Sequence, residues 1–575
     1  MIMKKYTKYI AIVLATALSV VSCTKFDEMN KNPYALYYVE AESFVQPILY
    51  NTAFTTTYNN YYVTSELMQY AINTSFENSA QLTYNYDIAE NYSSYLWRLY
   101  KQFGNAQYML DLARKGDNPA MVGVALVLRS YIASILTDTY GDVPYSEAGL
   151  ITLQGNDFSY TVKYDKQEDI YIDLLRSLEE ANRCFTEAKA KKAQDSTFEI
   201  NFSGGCDYMY RGDVEKWHRF GNALYARLLL HVALKIQTTT GGIVSLGDEF
   251  GDIDIIAKFN ELYDCYISGS GAYPMMRSIA DSARVGFSGS DSSLYTPFHG
   301  TTSGNWNAKA ACLTLTDLML IAKDKDNSYG GEGGVYDPRY FRIFTKVVGA
   351  PTQIPTNELE AYFNEKVSKA GNSLIGRFTR GTTTGTAANP HYGDLQNAPS
   401  YGLLNYDELA FIFAEAGARE WISMDQRTVK NLYLEGARQS ILQWQVGFES
   451  AVDYLMPTDP AIDTFIKHLD NEFDYNNMLN KILTQKYVAT FWVGIESWVD
   501  YRRTGYPILK TNGETATNNG ILPTRLPYPD TEAFQNAVHY DAAVAGWLKG
   551  VNNMQTDVWW ATTSESVNNR LLGRQ

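Results

Sequence analysis

The sequence ENYSSYLWRLYKQFGNAQYMLDLARKGDNPAMVGVALVLRSYIASILTDT, residues 90–139, decides the fold. Gly116 follows two basic residues, as at the C-terminus of a helix. Asn118 and Pro119 are typical of an N-cap and a first-turn proline, which open a second helix to about Thr139. Two helices joined by so short a turn form an antiparallel hairpin. The first helix carries one apolar stripe at a spacing of three or four residues: Leu96, Leu99, Phe103, Ala106, Leu110 and Ala113.

The same pattern continues along the chain. Asp165 with Glu168 three residues later predicts a helix that starts with a capping box, and Asp213 opens its partner helix. Helices with one apolar stripe each are not stable singly and must stack. We therefore predict an all-α fold with an α-solenoid core of tetratricopeptide type, although the consensus of that repeat is not evident. Further helices are expected at 252–265, 312–323, 405–422, 427–447 and 473–493.

Two irregular stretches interrupt the helices, at about 268–308 and 371–405. Loops of this length in a compact domain are usually functional or disordered. The first stretch carries five aromatic residues, which favours an ordered, loop-rich ligand-binding side: Tyr273, Phe287, Tyr295, Phe298 and Trp306.

The N-terminus predicts export and lipidation. Three lysines precede an apolar run, 10–21, that is too short for the roughly 20 residues of a membrane-spanning helix. The run ends at Ser22-Cys23, which resembles a bacterial lipobox. We expect a signal peptide at 1–22, a lipidated Cys23 and one mature domain, 23–575. The alternative is an ordinary signal peptide followed by a chance cysteine.

The charge of the chain limits its partners. Its formal net charge is −15, and removing the three lysines of the signal peptide changes it to −18. Nucleic acid is not an expected partner, because phosphate binding needs clustered Lys and Arg. No further apolar stretch looks long enough to span a bilayer, so we expect a mature protein that is soluble apart from its lipid.

Cysteine and histidine give no sign of a metal or cofactor. The six histidines are scattered, and neither Cys-x-x-Cys nor His-Glu-x-x-His is present. Residues 324–327 lack the later spacing of a calcium-binding EF-hand loop and are interpreted as a polar turn. Four cysteines of the mature chain are expected to be reduced and mostly buried, with disulfides as the alternative in an exported protein: Cys184, Cys206, Cys265 and Cys312.

A set of motifs in a fixed order resembles the motifs of the SusD/RagB-type lipoproteins. Within that family, the chain resembles the second SusD-like subgroup. The resemblance covers essentially the whole chain. The motifs are Asn30–Pro33, Leu136–Ala148, Asp213–Trp217 with Asn222 and Arg227, Asp337–Arg339, Asn405–Glu408 with Ala414–Ala416, Gln485–Tyr487, Glu496–Pro507 and Pro523–Pro529.

This resemblance implies a non-catalytic lipoprotein of the outer membrane that faces the cell exterior. Such proteins cover a TonB-dependent, SusC-like transporter and help to capture glycans or other oligomers for import. The family motifs mark the scaffold, so no ligand contact is carried over from them.

Arg502 and Arg503 beside Glu496 and Asp500 predict a charge-assisted network, since Arg binds carboxylates in a bidentate fashion. We interpret this cluster as a lock between the last helices and the core. The alternative is a site for an anionic ligand.

Aromatic residues in the loops are the candidate ligand contacts. The chain contains 44 Tyr against 25 Phe, and an amphipathic ring suits the stacking of sugars, although most Tyr of a solenoid pack between helices. The first group is Tyr295, Phe298 and Trp306, with Asn305 and Asn307 as hydrogen-bond partners. The second is Phe76 with Gln69.

Two other functions remain open. The chain could be a scaffold or lid that binds no ligand itself, since stacked helices form protein-docking surfaces. A glycoside hydrolase would need a pair of carboxylates across the scissile bond, and nothing in the sequence singles out such a pair. Asp138, Asp142 and Glu147 lie where a turn at the end of a helix explains them.

Replacing Cys23 by Ala should release the protein from the membrane, because several acyl chains give a durable anchor that a bare polypeptide lacks. Fractionation of cells that express wild type or Cys23→Ala measures this, with Cys184→Ala as the matched cysteine control. Equal membrane retention of Cys23→Ala and wild type would contradict the lipid anchor.

Overall fold

A computed structural model describes residues 39–73, 83–150, 153, 159–287, 291–297, 309–326, 333–340, 400–444, 459–510 and 517–572. Helices dominate this part of the chain, as predicted. The longer helices are α1 (Val45–Asn59), α2 (Leu99–Lys115), α3 (Pro119–Tyr140), α4 (Gln167–Gln194), α5 (Val214–Thr240), α6 (Ile255–Ser268), α7 (Leu313–Met319), α8 (Tyr406–Ala418), α9 (Gln426–Gln443), α10 (Pro460–Asn471), α11 (Met478–Ala489), α12 (Glu496–Thr504), α13 (Ala537–Ala545) and α14 (Ser564–Leu572).

Short helical segments connect them. A π-helical turn, Asn60–Thr64, continues α1 and leads into a single α-turn, Ser65–Leu67. The other short segments are Ala41–Phe44, Thr83–Asn85, Glu90–Ser93, Tyr95–Arg98, Ile279–Asp281, Ser292–Leu294, Asn518–Gly520, Glu532–Gln535 and Trp559–Ala561.

Successive helices pack side by side and confirm the helical-hairpin architecture. The chain passes from α2 through α3 and α4 to α5 with each helix against the next, and α8 packs on α9 and α11. Asn118 Oδ1 accepts a hydrogen bond from Met121 N at 3.1 Å, so the predicted N-cap of α3 is confirmed. The fold is all-α, with a tetratricopeptide-like core.

Among the residues that the structure describes, strands are few and pair only in twos. They are β1 (Ala71–Asn73), β2 (Val143–Pro144), β3 (Tyr164–Asp165), β4 (Ile243–Ser245), β5 (Asp252–Asp254), β6 (Ala283–Val285), β7 (Lys309–Ala311), β8 (Leu320–Ala322), β9 (Val335–Tyr336) and β10 (Tyr401–Leu404). The antiparallel pairs are β1–β7, β2–β3, β4–β5, β6–β10 and β8–β9. The β6–β10 pair joins the two stretches that were predicted to be irregular.

The predicted start of α4 is wrong. The helix begins at Gln167, and Asp165 belongs to β3, where its carboxylate accepts hydrogen bonds from the amides of Tyr145 and Ser146 at 3.2 and 2.7 Å. The first amide of the helix is bound instead by Asp142, whose Oδ1 accepts from Gln167 N at 2.9 Å. A carboxylate from a neighbouring segment thus replaces the local capping box.

Five of the longer helices, α1, α10, α12, α13 and α14, escaped the sequence analysis, and one helix was predicted too long. Neither α1 nor α10 was predicted, although Asp459 and Pro460 form the N-cap and first turn of α10. The helix expected at 312–323 ends at Met319, where the chain enters β8.

Helix α3 corrects the expectation that no further segment could span a membrane. Its mean hydropathy of 1.8 over an 18-residue window satisfies the length and composition of a membrane span, but 94% of that window is buried inside the protein. Because α2, α4 and α5 all pack against it, α3 is apolar on every side. It is the central core helix.

Gly141 follows the last residue of α3, and two observations explain why this position is glycine. Its φ of +86° is a conformation that side chains rarely adopt, and a Cβ atom there would lie 2.2 Å from the Trp547 ring. Asp138, in the last turn of the helix, is buried and accepts hydrogen bonds from Tyr171 Oη at 2.6 Å and Trp560 Nε1 at 2.9 Å. These contacts give the turn a structural role.

No disulfide joins the four cysteines within the described part of the chain, and their redox state in the exported protein stays a prediction. Cys265 is buried, whereas Cys184 and Cys206 are partly exposed.

A network of buried charged side chains joins the two halves of the chain. Arg227 on α5 donates to Glu408 on α8, with Nε 2.7 Å from Oε1. Lys486 Nζ on α11 lies 3.2 Å from Glu496 Oε1 and 2.9 Å from Asp500 Oδ2, and both carboxylates are on α12. All five side chains are buried, so every charge depends on these partners.

Arg503 extends the network, as predicted. It donates from Nε to Asp500 Oδ1 at 2.8 Å and from Nη1 to Glu415 Oε1 at 2.6 Å. Burial by itself would raise the pKa of Glu415, but Arg503 and Arg419 outweigh it and hold that pKa at about 2. Glu415 therefore stays ionised.

Arg502 corrects the prediction, because it binds backbone carbonyls instead of a carboxylate. Its Nη1 donates to the carbonyls of Asp138 and Thr524 at 2.5 and 3.1 Å, and its guanidinium lies 3.7 Å from the centre of the Trp498 ring. Burial lowers the pKa of Arg502 to about 9. Because Arg502 and Arg503 are 0% and 2% exposed, the geometry supports the lock between helices over an anionic-ligand site.

His231 completes the network from α5. Its Nδ1 lies 3.4 Å from Asp138 Oδ2 and its Nε2 lies 3.2 Å from Glu496 Oε1. Burial alone would lower the pKa of His231, but Glu496 and Asp138 outweigh it and raise the pKa to about 9. His231 is therefore a cation at neutral pH.

Stability should fall as the pH rises from 6.5 to 9. A histidine whose pKa is higher in the folded state contributes stability that is fully present below its unfolded pKa and is lost as the pH rises through its folded pKa. A shift from 6.5 to about 9 corresponds to about 3 kcal/mol. Denaturant unfolding across this range measures the loss. His231→Gln should flatten the profile, while His539→Gln should not, and a flat wild-type profile would contradict a charged His231.

Candidate functional site

An aromatic ridge runs along α1 and the π-helical turn that follows it. We define the ridge as Tyr50, Phe54, Tyr58 and Tyr62, which recur every four residues and so share one helical face. All four side chains are partly exposed, whereas the opposite face of α1 is buried against α2, α3 and β10. The ridge therefore presents aromatic surface to solvent from a rigid element.

Two tyrosines from the segment before α2 stack on the ridge. Tyr95 stacks on Tyr58, with ring centres 4.1 Å apart, and Tyr92 stacks on Tyr62 at 4.8 Å. Tyr58 and Tyr62 are themselves 4.5 Å apart. The exposed Arg98 lies 4.4 Å from the centre of the Tyr95 ring, a cation–π distance. Four partly exposed tyrosines thus form one continuous patch.

These phenols are neutral at physiological pH. Burial, together with the nearby Tyr92 and Tyr95, raises the pKa of Tyr62 to about 12. Burial also raises the pKa of Tyr58, Tyr92 and Tyr95. Each ring therefore keeps an uncharged hydroxyl that can donate and accept a hydrogen bond beside an apolar ring surface.

The other end of the ridge reaches the first irregular stretch. Tyr50 packs edge-on against Phe287, with ring centres 6.1 Å apart, and its hydroxyl donates to the backbone carbonyl of Tyr295 at 2.9 Å. The predicted ligand residue Tyr295 is partly exposed and therefore lies beside the ridge. Its contact with a ligand stays a prediction.

The π-helical turn positions Tyr62 and ties the ridge to the core. Asn60 is buried, and its Nδ2 donates to the carbonyl of Gly494 at 2.6 Å. Such turns are rare and occur often at functional sites. Here the turn continues the helix and keeps Tyr62 next to Tyr58, with ring centres 4.5 Å apart.

Gln69 lies just beyond this turn but is 3% exposed. Its Oε1 accepts a hydrogen bond from Thr314 Oγ1 at 2.7 Å, and its Nε2 donates to the carbonyl of Lys510. Gln69 has a φ of +54°. These contacts tie three segments together, while a ligand contact of Gln69 is left as a prediction.

The antiparallel pair of β1 and β7 ends with Asn73 opposite Lys309. The remaining candidates lie outside the described residues: Cys23, Phe76, Phe298, Asn305, Trp306 and Asn307.

The ridge is what the sequence analysis missed. The four-residue spacing of Tyr50, Phe54, Tyr58 and Tyr62 was a usable signal, because an aromatic stripe with polar neighbours marks one face of a helix. Its residues were overlooked because the segment is rich in Thr and Asn, which weakens the helical pattern.

Chemically, the ridge is suited to holding a ligand. It offers neutral hydroxyls, aromatic edges and one exposed guanidinium, which fit an amphipathic ligand such as a sugar. Of the carboxylates considered for hydrolysis, Asp138 and Asp142 bind tyrosine, tryptophan and backbone groups of the scaffold. Burial raises the pKa of Asp142 to about 6.

Two family models match the chain, one in each half. Residues 33–243 match a SusD-like family described as "Starch-binding associating with outer membrane". Residues 334–561 match the family described as "Susd and RagB outer membrane lipoprotein". A comparison with curated proteins gives no significant match.

Solved structures share the fold over nearly their whole length. A SusD homologue from Bacteroides fragilis is 22% identical with a TM-score of 0.66, and 91% of this chain covers 100% of that chain. A chitin-binding protein is 20% identical with a TM-score of 0.65, and the match covers 91% of this chain and 99% of that chain. A SusD homologue from Parabacteroides distasonis is 20% identical with a TM-score of 0.65, and the match covers 91% of this chain and 98% of that chain.

Proposed function

Because the chain belongs to the SusD/RagB-like family of outer-membrane lipoproteins, we propose that it captures neutral oligosaccharides at the aromatic ridge and passes them to a partner transporter. The ridge is the observation that carries the proposal. Tyr58, Tyr62, Tyr92 and Tyr95 form a partly exposed, uncharged patch that a sugar ring can stack against.

The relatives favour a carbohydrate ligand. One matching family model is described as starch-binding, and one structure with the same fold is a chitin-binding protein. Starch and chitin are both neutral glycans. Neutral phenols suit such ligands, because their hydroxyls form hydrogen bonds without adding a charge.

The lipid anchor and the transporter complete the proposal. A signal peptide at 1–22, an acylated Cys23 and a mature domain at 23–575 would fix the protein to the outer membrane with the ridge facing the exterior. A TonB-dependent, SusC-like transporter would receive the ligand there. The family models describe association with the outer membrane and support this arrangement.

Removing two ridge-associated rings should weaken glycan binding at least about fivefold, since each aromatic contact contributes roughly 0.5–1.5 kcal/mol. The variant is Tyr92→Ala/Tyr95→Ala. Affinity electrophoresis on starch, glycol chitin and xylan identifies the polysaccharide that retards the wild-type protein. Calorimetry with that polysaccharide then compares the affinities of the two proteins. The control is Tyr475→Ala, which removes a tyrosine that is 42% exposed and lies between α10 and α11. Circular dichroism checks that the variants fold. Unchanged glycan affinity of the double variant would exclude the ridge as the glycan-binding site.

Delivery to a transporter predicts a stable partner. Affinity purification of the tagged, lipidated protein from detergent-solubilised outer membranes should recover a TonB-dependent β-barrel. We expect about one barrel for each copy of the tagged protein. Tyr92→Ala/Tyr95→Ala should retain the barrel while losing the glycan, since the ridge is assigned to the ligand. Antibody labelling of intact cells tests the orientation. Recovery of no barrel would overturn the delivery step and leave glycan capture standing.

A further inference from the structure

A cleft in the C-terminal half lies apart from the ridge residues. It opens between α7, α10, α11 and the Pro507–Lys510 segment, and its volume is about 600 Å³. That volume falls within the range of small-molecule sites. None of the residues that form the ridge lines this cleft.

Charges of both signs line the cleft in equal number. Asp317 and Glu472 carry the negative charges, and Lys481 and Lys510 carry the positive ones. None of the four forms an ion pair with another residue in the described ranges, in contrast to the charges of the buried network. A cleft of balanced charge does not select for an ionic ligand, yet it offers carboxylates that accept and ammonium groups that donate hydrogen bonds.

Apolar surface completes the lining. Leu313 and Ile508 are 38% and 45% exposed, which is high for side chains of this type. The amide of Asn480 and the hydroxyl of Thr484 lie on the α11 side, where Thr484 Oγ1 donates to Asn480 Oδ1 at 3.1 Å. A ligand that fits this lining is uncharged, dense in hydroxyls and apolar on its ring faces.

Gln69 holds two walls of the cleft in place. Its side chain binds Thr314 on α7 and the carbonyl of Lys510, and both residues line the cleft. The Gln69 side chain is buried, and both of these hydrogen bonds are partly buried. The cleft is therefore pre-formed, which lowers the cost of ordering when a ligand binds.

We propose that this cleft is a second carbohydrate site, which binds a short segment of a neutral oligosaccharide independently of the ridge. The inference rests on the proposed function for the class of ligand. The location of the site is inferred from three features of the cleft. These are its balanced charge, its exposed apolar wall and the hydrogen bonds of Gln69 that join two of its walls.

The test uses calorimetry with maltotriose and chitotriose on the full mature chain. Wild type should bind one of these trisaccharides at two sites. Asn480→Ala/Lys481→Ala should remove one site, because both side chains line the cleft and are partly exposed. Tyr92→Ala/Tyr95→Ala should remove the other. The matched control is Lys467→Ala/Asn471→Ala, which changes two exposed side chains on α10 outside the cleft and should retain both sites.

Each result decides the inference. Loss of one site in the cleft variant, with circular dichroism unchanged, supports it. Two sites in the cleft variant, or complete loss of binding in the ridge variant, overturn it and leave the proposed function intact. Failure of both trisaccharides to bind wild type also overturns it, while polysaccharide retention in affinity electrophoresis still reports separately on the proposed function.

Discussion

The buried charge network is the constraint on which the rest of the structure depends. Arg227 and His231 come from the N-terminal half, and Glu408, Lys486 and Glu496 come from the C-terminal half. A buried charge without a partner is costly, and removing one member of a buried pair typically destabilises a protein by about 3–5 kcal/mol. The two halves must therefore dock in one register, because any other register would leave several charges without partners.

This docking also fixes the ridge. Asn60, at the start of the π-helical turn, donates to the carbonyl of Gly494, which lies two residues before Glu496 of the network. The buried face of α1 packs on α2, α3 and β10. The aromatic rings of the ridge therefore stand on a surface that both halves of the chain hold in place. Such support keeps the rings pre-organised for a ligand.

The fold was largely predictable from the sequence, because its signals are local. Asn118 with Pro119 marks the start of α3, and Asp213 marks the start of α5. The start of α4 was missed because the residue that binds its first amide, Asp142, comes from a different segment. Helix α1 was missed because Thr and Asn dilute its pattern, although tertiary packing stabilises the helix. Of the candidate site, only Tyr295 beside the ridge and Gln69 near its end could be located among the described residues.

The motifs that carry the family resemblance explain why the scaffold could be predicted and the site could not. Asp138, Arg227, Glu408, Lys486 and Arg503 all belong to quoted motifs, and all five are buried. Their partners are other parts of the same chain, so their spacing encodes how helices dock. The ridge tyrosines belong to none of these motifs, and their rings are partly exposed to solvent. A surface of this kind can change its ligand without disturbing the network. A motif-based assignment therefore identifies the family and leaves the ligand to be found from the exposed rings.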